Sequence, residues 1–345
     1  MVLKKKKVKI LGAGISGLIA AIMLARNGFE VEVFEKRSRV GSFFKRDVHS
    51  LRNYYYNYDI IKKYNNLKIK ISHVYPIFKE FRFSPSLKKL EIYSKEKPLF
   101  YNFIRGYDGK RSFDVELYEK AKKLGVRFYF NKILNSARAD IIATGFRSIK
   151  GVAYGVHYDG VRNTKPHSIY IFLNNNYAPN GYSYILPFYN EASVVIASTK
   201  KQTRNELKEN FNNLISNNLI IKDFLRGAKF KNEIFGYIFY DFPKTAVRKS
   251  KLYVGEAAGF LDAATGFGTH YAILSGYLAA EAIIKNKNYD KLWEDSFKDE
   301  LEKQYFQRAR LQNFNNKKYE KSIKAIIAKY GNKITADSYK KIKLK

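Results

Sequence analysis

"VKILGAGISGLIAAIMLARNGFEVEVFEKR" (residues 8–37) is the stretch on which the fold turns. Two short apolar runs, 7–11 and 31–35, flank a glycine-rich turn and an apolar segment, 16–27, that stops at Gly28. Strand-length runs on either side of a helix-length segment predict a strand–helix–strand unit. Gly12, Gly14 and Gly17 give the spacing G-x-G-x-x-G at the first strand–helix junction, with Ala13 and Ser16 completing the turn. Gly12 permits the tight turn, Gly14 lets the backbone approach a pyrophosphate, and Gly17 with Ala21 lets helix and strand pack closely. The free N–H groups at the helix start then face the phosphates. Glu35 closes the second strand, followed by Lys36. A carboxylate there accepts ribose hydroxyls and repels a 2′-phosphate, so FAD or NAD fits better than NADP.

The bulk properties set the frame. With 345 residues, 46% of them hydrophobic, the chain can bury a substantial core as one large domain or two interleaved ones. No apolar run approaches the roughly 20 residues that cross a bilayer. The opening "MVLKKKKVKIL" runs straight into a strand, with no room for a signal peptide, so a cytoplasmic protein is expected. The absence of cysteine excludes disulfides, thiolate nucleophiles and Cys-ligated zinc or iron–sulfur clusters. The five histidines, His49, His73, His157, His167 and His270, show no metal-ligand spacing, and no metal site is expected.

Lys and Arg number 64 against 31 Asp and Glu, a net charge of +33. Such a field attracts nucleic acid, anionic headgroups or phosphorylated substrates. Because the lysines are spread over the whole chain rather than gathered in one block, a genome-wide bias toward Lys, Asn, Ile and Tyr is the favoured explanation.

Outside the opening unit, a helix is expected at 115–124, stopped by Gly125, with strands at 126–130 and 141–143. Residues 152–200 change character: "SIYIFL", "GYSYIL" and "ASVVIAS" are β-rich pieces separated by Asn, Gly and Pro. A helix at 204–216, a strand at 235–240, a long apolar helix at 268–285 and a charged helical remainder, 290–345, complete the reading. Nucleotide-type elements thus lie toward both ends with a β-rich insertion between them.

Near the far end stands "LYVGEAAGFLDAATGFGTHYAILSGYLAAEAI" (252–284), a strand running into Gly255 and Glu256, then Gly266-x-Gly268 opening the long helix. This pattern resembles the second flavin-contact motif of the p-hydroxybenzoate-hydroxylase-like FAD proteins. It is most similar to that of the geranylgeranyl reductase family, which includes the archaeal digeranylgeranylglycerophospholipid reductases: G-D-A-A-G, P-x-T-G-E-G-I, then S-G-x-x-A-A. "KRSFD" (110–114) resembles the family's R-x-x-F-D, placing Arg111 near the flavin's entry side. "ADIIATGFRS" (139–148) is similar to the strand that returns to the FAD, with Ala143, Thr144 and Gly145 at its end. "GYSYILPF" (181–188) resembles the reductases' aromatic-x-aromatic-x-F-P signature beside the substrate tunnel.

The resemblance spans about residues 8–285 and implies FAD as cofactor. It places Glu256 beside the ribityl and pyrophosphate, and backbone N–H groups of Gly266, Phe267, Gly268 and Thr269 at the flavin's pyrimidine edge. Several positions depart from the pattern. Glu256 replaces Asp, Ala263 replaces Pro, and Phe267 replaces Glu. Thr144 replaces an Asp tied to NADPH use, and the cysteine some archaeal members carry near the flavin is missing from "GSFFKRDVHS" (41–50).

The implied fold class is α/β: a Rossmann-like FAD-binding domain built from discontinuous segments, with an inserted β-rich substrate domain and a helical C-terminal tail. The expected bounds are 1–60, 105–150 and 245–288 for FAD, 61–104 and 151–244 for substrate, and 289–345 for the tail. The implied reaction is saturation of double bonds in geranylgeranyl chains of archaeal-type lipids or their phosphorylated precursors. Tyr182 and Tyr184 would line the bond, through ring faces that favour a cation and a phenol proton. Pro187 would shape a turn among substrate contacts, and His270 is a second, weaker acid candidate. The 28 tyrosines of the chain make a core or packing role for Tyr182 and Tyr184 the stronger alternative.

The electron donor is expected to be a ferredoxin or a nicotinamide cofactor. The basic charge suggests peripheral association with an anionic membrane at the inner face of the cell membrane. The tail "YEKSIKAIIAKYGNKITADSYKKIKLK" (319–345) mixes apolar and basic positions at helical spacing, as a headgroup-lying helix or a solvated one would. Two rivals stay open: a flavin monooxygenase or aromatic hydroxylase on the same fold, and a nucleic-acid binder acting through charge. No nucleic-acid-binding motif is present, so no specific nucleic acid is expected.

Overall fold

The computed structural model describes residues 6–109, 111–145, 147–162 and 165–342. Lys110 in the "KRSFD" stretch, Phe146 in "ADIIATGFRS" and the last three residues of the tail lie outside the described residues. The chain divides into two compact units.

The first unit comprises 1–45, 106–149 and 239–309. Its six-stranded sheet runs in the order Val247–Arg248, Lys251–Tyr253, Ile141–Ile142, Lys7–Leu11, Glu30–Phe34, Arg127–Tyr129. All neighbours are parallel except the first pair. The central strands bury Val8, Ile10, Val31, Val33, Ile141 and Ile142, although Lys7–Leu11 and Glu30–Phe34 alternate these with charged residues. Helix Ile15–Arg26 makes the crossover between the first two strands; nine of its residues are buried, as its nearly unbroken apolar sequence requires. Helix Thr269–Lys285 packs on it where Gly276 meets the backbone of Ser16. The next helix, Tyr289–Leu311, buries Trp293, Phe297 and Leu301, with Phe260 and Tyr271 closing an aromatic cluster around Phe297.

The second unit comprises 46–105, 150–238 and 310–345. Its eight-stranded sheet runs Lys229–Ile238, Gly151–Asp159, Glu191–Ser198, Tyr182–Phe188, Ser168–Phe172, Lys79–Phe83, Lys89–Tyr93, Lys333–Thr335. Helices Arg204–Asn217 and Leu219–Phe224 cover one face, burying Leu207, Phe211, Leu214, Ile221 and Phe224 in one cluster with Tyr154, Val156, Ile185, Val194 and Ile196. A second sheet of three antiparallel strands, Asp47–Arg52, Phe100–Arg105 and Tyr75–Ile77, is tied to the first through Val48 N–H to Ser193 Oγ at 2.9 Å.

Two expectations about the layout are corrected. The first segment ends at Lys45, not at 60, because Asp47–Arg52 pairs along its whole length with Phe100–Arg105 in the second unit. The tail is not a helical region of its own. Its first helix belongs to the first unit, whereas 310–342 belongs to the second, where Lys333–Thr335 forms a parallel edge strand with Lys89–Tyr93. Helix Asn316–Tyr330 buries Tyr319, Ile323 and Ile326 within its unit, so its apolar stripe faces protein.

Candidate dinucleotide cradle

Because strands Lys7–Leu11, Ile141–Ile142 and Lys251–Tyr253 are parallel neighbours, their carboxyl ends emerge on one edge of the sheet. That edge is where open α/β sheets hold ligands. Three turns leave it: Gly12–Gly14, Ala143–Gly145 and Gly255–Glu256. They touch one another. A Cβ on Gly17 would fall well inside 3.0 Å of the Gly12 carbonyl oxygen and 3.1 Å from the Ala143 Cβ. A Cβ on Gly255 would fall 2.9 Å from Ser16 Oγ, and the Gly255 N–H donates to Ser275 Oγ at 2.9 Å. Ser16 is therefore buried between the two glycine motifs, and the small residues Ser275 and Gly276 let the long helix approach it.

Gly14 differs. A Cβ there would meet no protein atom within 4 Å, although its neighbours Gly12 and Gly17 are tightly enclosed. The turn therefore leaves an open space where a pyrophosphate would approach. Helix Ile15–Arg26 starts at Gly14, and Thr269–Lys285 starts at Gly268. Among the described helices, these two have neither a side-chain cap nor an acid in the first turn, whereas Asp59, Thr203, Asn218, Asn315 and Thr335 cap others. Their first N–H groups lack intrahelical partners, which suits an anionic ligand.

Glu35 is held by this same turn. Its Oε2 accepts from Ala13 N–H at 2.8 Å and its Oε1 from Arg37 N–H at 3.0 Å. Each oxygen keeps a lone pair for a ribose hydroxyl. Lys36 beside it is exposed. Glu256 is half-buried, with Oε1 3.7 Å from where a Gly268 Cβ would stand, so its longer arm reaches the start of the long helix. Thr144 is exposed beyond the buried Ala143, and Gly145 takes a left-handed turn. Arg111 also adopts positive φ, just before helix Phe113–Lys123.

The loop before the long helix depends on a residue the sequence reading passed over. Asp262, buried, accepts from Ala264 N–H at 2.9 Å, Thr265 N–H at 3.1 Å and the Thr265 hydroxyl. Its carbonyl takes the Gly266 N–H at 2.7 Å. This corrects the expected flavin-facing set: the Gly266 N–H is used within the loop. His270 is buried, with its ring edge-on to Tyr271, as a packing residue would be.

The other predicted residues lie in the second unit. Tyr182 and Tyr184 share one face of strand Tyr182–Phe188, ring centroids 5.6 Å apart. Burial, then the nearby Asp47 charge, push the Tyr184 phenol well above its usual range, so it stays protonated. Pro187 does not shape a turn: it sits inside the strand opposite Ala192, and its carbonyl accepts from Asn102 Nδ2 at 2.8 Å. Among the described residues, no group of three or more acidic or His side chains is arranged for a metal, and no helix is long and apolar enough to cross a membrane.

Residues 10–64 match the family model of an NAD(P)-binding Rossmann-like domain. A 141-residue stretch is 26% identical to an uncharacterized protein of Methanocaldococcus jannaschii, covering 39% of this chain and 35% of that one. A 35-residue stretch is 57% identical to a 4,4'-diapolycopen-4-al dehydrogenase of Metabacillus indicus, 10% of this chain and 7% of that one. The matches thus span at most about a third of these curated relatives' length.

The fold is similar over nearly the whole chain to a geranylgeranyl bacteriochlorophyll reductase-like protein of Thermoplasma acidophilum (TM-score 0.75, 21% identity, 95% of this chain and 97% of that one). The myxobacterial chondrochloren halogenase CndH, an FAD-dependent halogenase, also resembles it (TM-score 0.63, 14% identity, 95% and 91%). So does CtdE, solved with FAD (TM-score 0.58, 16% identity, 92% and 89%). Sheet, cradle and second unit together make this the fold of FAD-dependent oxidoreductases, and the cradle's open turn, ribose acid and two uncapped helix starts fit that cofactor.

Proposed function

We propose that the protein is an FAD-dependent reductase that saturates double bonds of geranylgeranyl chains in archaeal-type membrane lipids or their phosphorylated precursors. The observation that carries this reading is the Tyr182–Tyr184 pair: two adjoining ring faces and a phenol kept protonated, on a strand whose sequence resembles the reductases' signature. The nearly full-length likeness to the Thermoplasma acidophilum protein supports it.

Bound, reduced FAD supplies the hydride. The chain's own residues do the rest. Gly14 admits the pyrophosphate to the start of helix Ile15–Arg26, Glu35 holds the ribose, and the start of Thr269–Lys285 offers N–H groups to the flavin ring. Tyr182 and Tyr184 face the developing cation with ring electrons, and a phenol O–H supplies the proton. Electrons come from a ferredoxin or a nicotinamide cofactor. Since the apolar stripe of helix Asn316–Tyr330 is buried, membrane association would run through exposed lysines and weaken with salt.

The likeness to halogenases favours one second reading, an oxygen-using flavin monooxygenase. Anaerobic titration separates the two. The purified protein is reconstituted with FAD, reduced, and mixed with a geranylgeranylated glycerophospholipid without oxygen. Return of the oxidised flavin spectrum with saturated product supports the reductase. Reoxidation by oxygen alone points to the monooxygenase and overturns the proposal.

A further inference from the structure

In the second unit, antiparallel register sets His157 opposite Ser193 and Asp159 opposite Glu191, while Ser193 also pairs with Leu186 on the next strand. Paired residues share a face, and residues two apart do too. His157, Ser193, Glu191, Tyr184 and Tyr182 therefore lie on one face of the sheet. The other face carries the core under helices Arg204–Asn217 and Leu219–Phe224.

A continuous polar line runs along this face. Arg46 grips Glu191 through both Nε and Nη2, the latter 2.8 Å from Oε1. Glu191 Oε2 lies 2.8 Å from His157 Nε2, and His157 Nδ1 lies 3.1 Å from Ser193 Oγ. Ser193 Oγ lies 2.8 Å from Asp47 Oδ1 and also accepts the Val48 N–H. Asp47 Oδ2 is 3.0 Å from His49 Nε2. His157 and Ser193 are wholly buried, and Asp47 and Arg46 nearly so. Asn232 fixes the Arg46 carbonyl from strand Lys229–Ile238.

The protons can be counted. Three links, Glu191–His157, His157–Ser193 and Ser193–Asp47, need one proton each. A neutral imidazole brings one and the serine hydroxyl one. Arg46 and His157 hold the Glu191 carboxyl down to about 2, so it contributes none. With Asp47 also ionised the line is one proton short, so filling every link takes one extra proton, on the His157 ring or on Asp47.

We infer that the His157–Ser193–Asp47 line is a proton store for the Tyr182–Tyr184 face, with His157 protonated on both ring nitrogens between Glu191 and Ser193. When the phenol gives up its own proton, the His157 Nδ1–H bond breaks and a Ser193 Oγ–H bond forms as the old serine proton moves to Asp47 Oδ1. The proton stays in the line and offsets the phenolate charge at Tyr184. One proton shifts and no electrons do. Asp47 is the carboxylate whose charge opposes phenolate formation at Tyr184. Protonating it removes that opposition when the phenol gives its proton to carbon. His49, half-buried on the far side of Asp47, faces the store from the solvent side, and Arg46 and Glu191 face it from the other end. His157, Ser193 and Asp47 act here as positioning residues behind Tyr184. Delivery to carbon rests on the reductase reading; the stored proton does not.

Nitrogen-15 NMR of histidine-labelled, flavin-free protein at pH 7, with His157→Gln to assign the signal, tests the store directly. Two N–H groups on the His157 ring are expected; one bare ring nitrogen overturns the proposal. In the reconstituted protein, Ser193→Ala should slow lipid-driven reoxidation of reduced flavin by about 10²-fold, the usual scale of a lost proton-transfer group. Ser193→Thr should recover most of the rate and the wild-type pH profile. An unchanged rate in Ser193→Ala overturns delivery. If wild-type flavin is not reoxidised by the lipid at all, the proposed function fails, and the NMR signal still decides the store.

Discussion

Gly14→Ala separates ligand space from packing space in the glycine turn. Gly14 sits at φ −78° and ψ 177°, extended backbone that any residue adopts, and an added Cβ meets nothing within 4 Å. The flavin-free protein should therefore lose no stability. Restricting the unfolded chain contributes about 0.4–1 kcal/mol, or about 0.5–1.5 °C in Tm for a chain of this size. The methyl group does stand where a pyrophosphate must come to touch backbone N–H groups. Losing one charge-assisted hydrogen bond costs about 1.5–3 kcal/mol, which weakens FAD binding by about 10- to 150-fold. Gly17→Ala should do the reverse: its Cβ collides with the Gly12 carbonyl, an overpacking cost of about 1–3 kcal/mol even without ligand. Thermal melts of flavin-stripped protein and quenching of FAD fluorescence read both quantities. If Gly14→Ala melts lower without ligand, or binds FAD as wild type does, the open space at Gly14 is not the pyrophosphate site.

Glu35→Ala removes the acceptor of the Ala13 and Arg37 N–H groups, and should weaken FAD by about 10-fold or more on the same scale, measured by the same quenching titration. Asp262→Ala frees two N–H groups and a hydroxyl in the loop before the long helix. We expect about 1–3 kcal/mol of lost stability in urea melts, with raised hydrogen exchange confined to that loop and helix start. The Glu191 carboxyl is depressed to about 2 in the folded chain from an ordinary 4.5. Its contribution is thus fully present above about pH 5 and lost as pH falls toward 2. Wild type should lose more stability than Glu191→Gln between pH 6 and pH 3, by about 1–3 kcal/mol; parallel pH curves would contradict this.

The cradle was legible where local backbone demands dictate residue type. Gly12, Gly14, Gly17 and Glu35 sit within one strand–helix–strand unit, so spacing alone locates them, and helices near 16–27, 115–124, 204–216 and 268–285 appear within a few residues of those positions. What escaped was set by long-range pairing. Strand Asp47–Arg52 carries Asp, His, Ser and Arg among only two apolar residues, since its partners are polar groups such as Ser193; no hydrophobic alternation marks it. Lys333–Thr335 is three residues long and owes its strand character to Lys89–Tyr93, so its own sequence reads as part of a charged tail. Asp262 escaped because it caps backbone N–H groups two and three residues on in its own loop, which no residue spacing marks.

The buried line on the second sheet shows what histidine spacing leaves out. Five scattered histidines carry no metal spacing, and by spacing alone His157 is isolated. Register changes its meaning. Thirty-six positions separate His157 from Ser193, and 146 separate Ser193 from Asp47, yet one antiparallel pairing and one overlying strand bring them into hydrogen-bonding contact. A one-residue slip of strand Glu191–Ser198 would turn Glu191 and Ser193 to the helix-covered face and leave His157 buried without an acceptor. The polar line therefore costs too much in any other register to form, and in the native one it places a carboxylate beside Tyr184. The same contacts that specify how the strands pair would then set the acidity of the phenol on which the proposed chemistry depends.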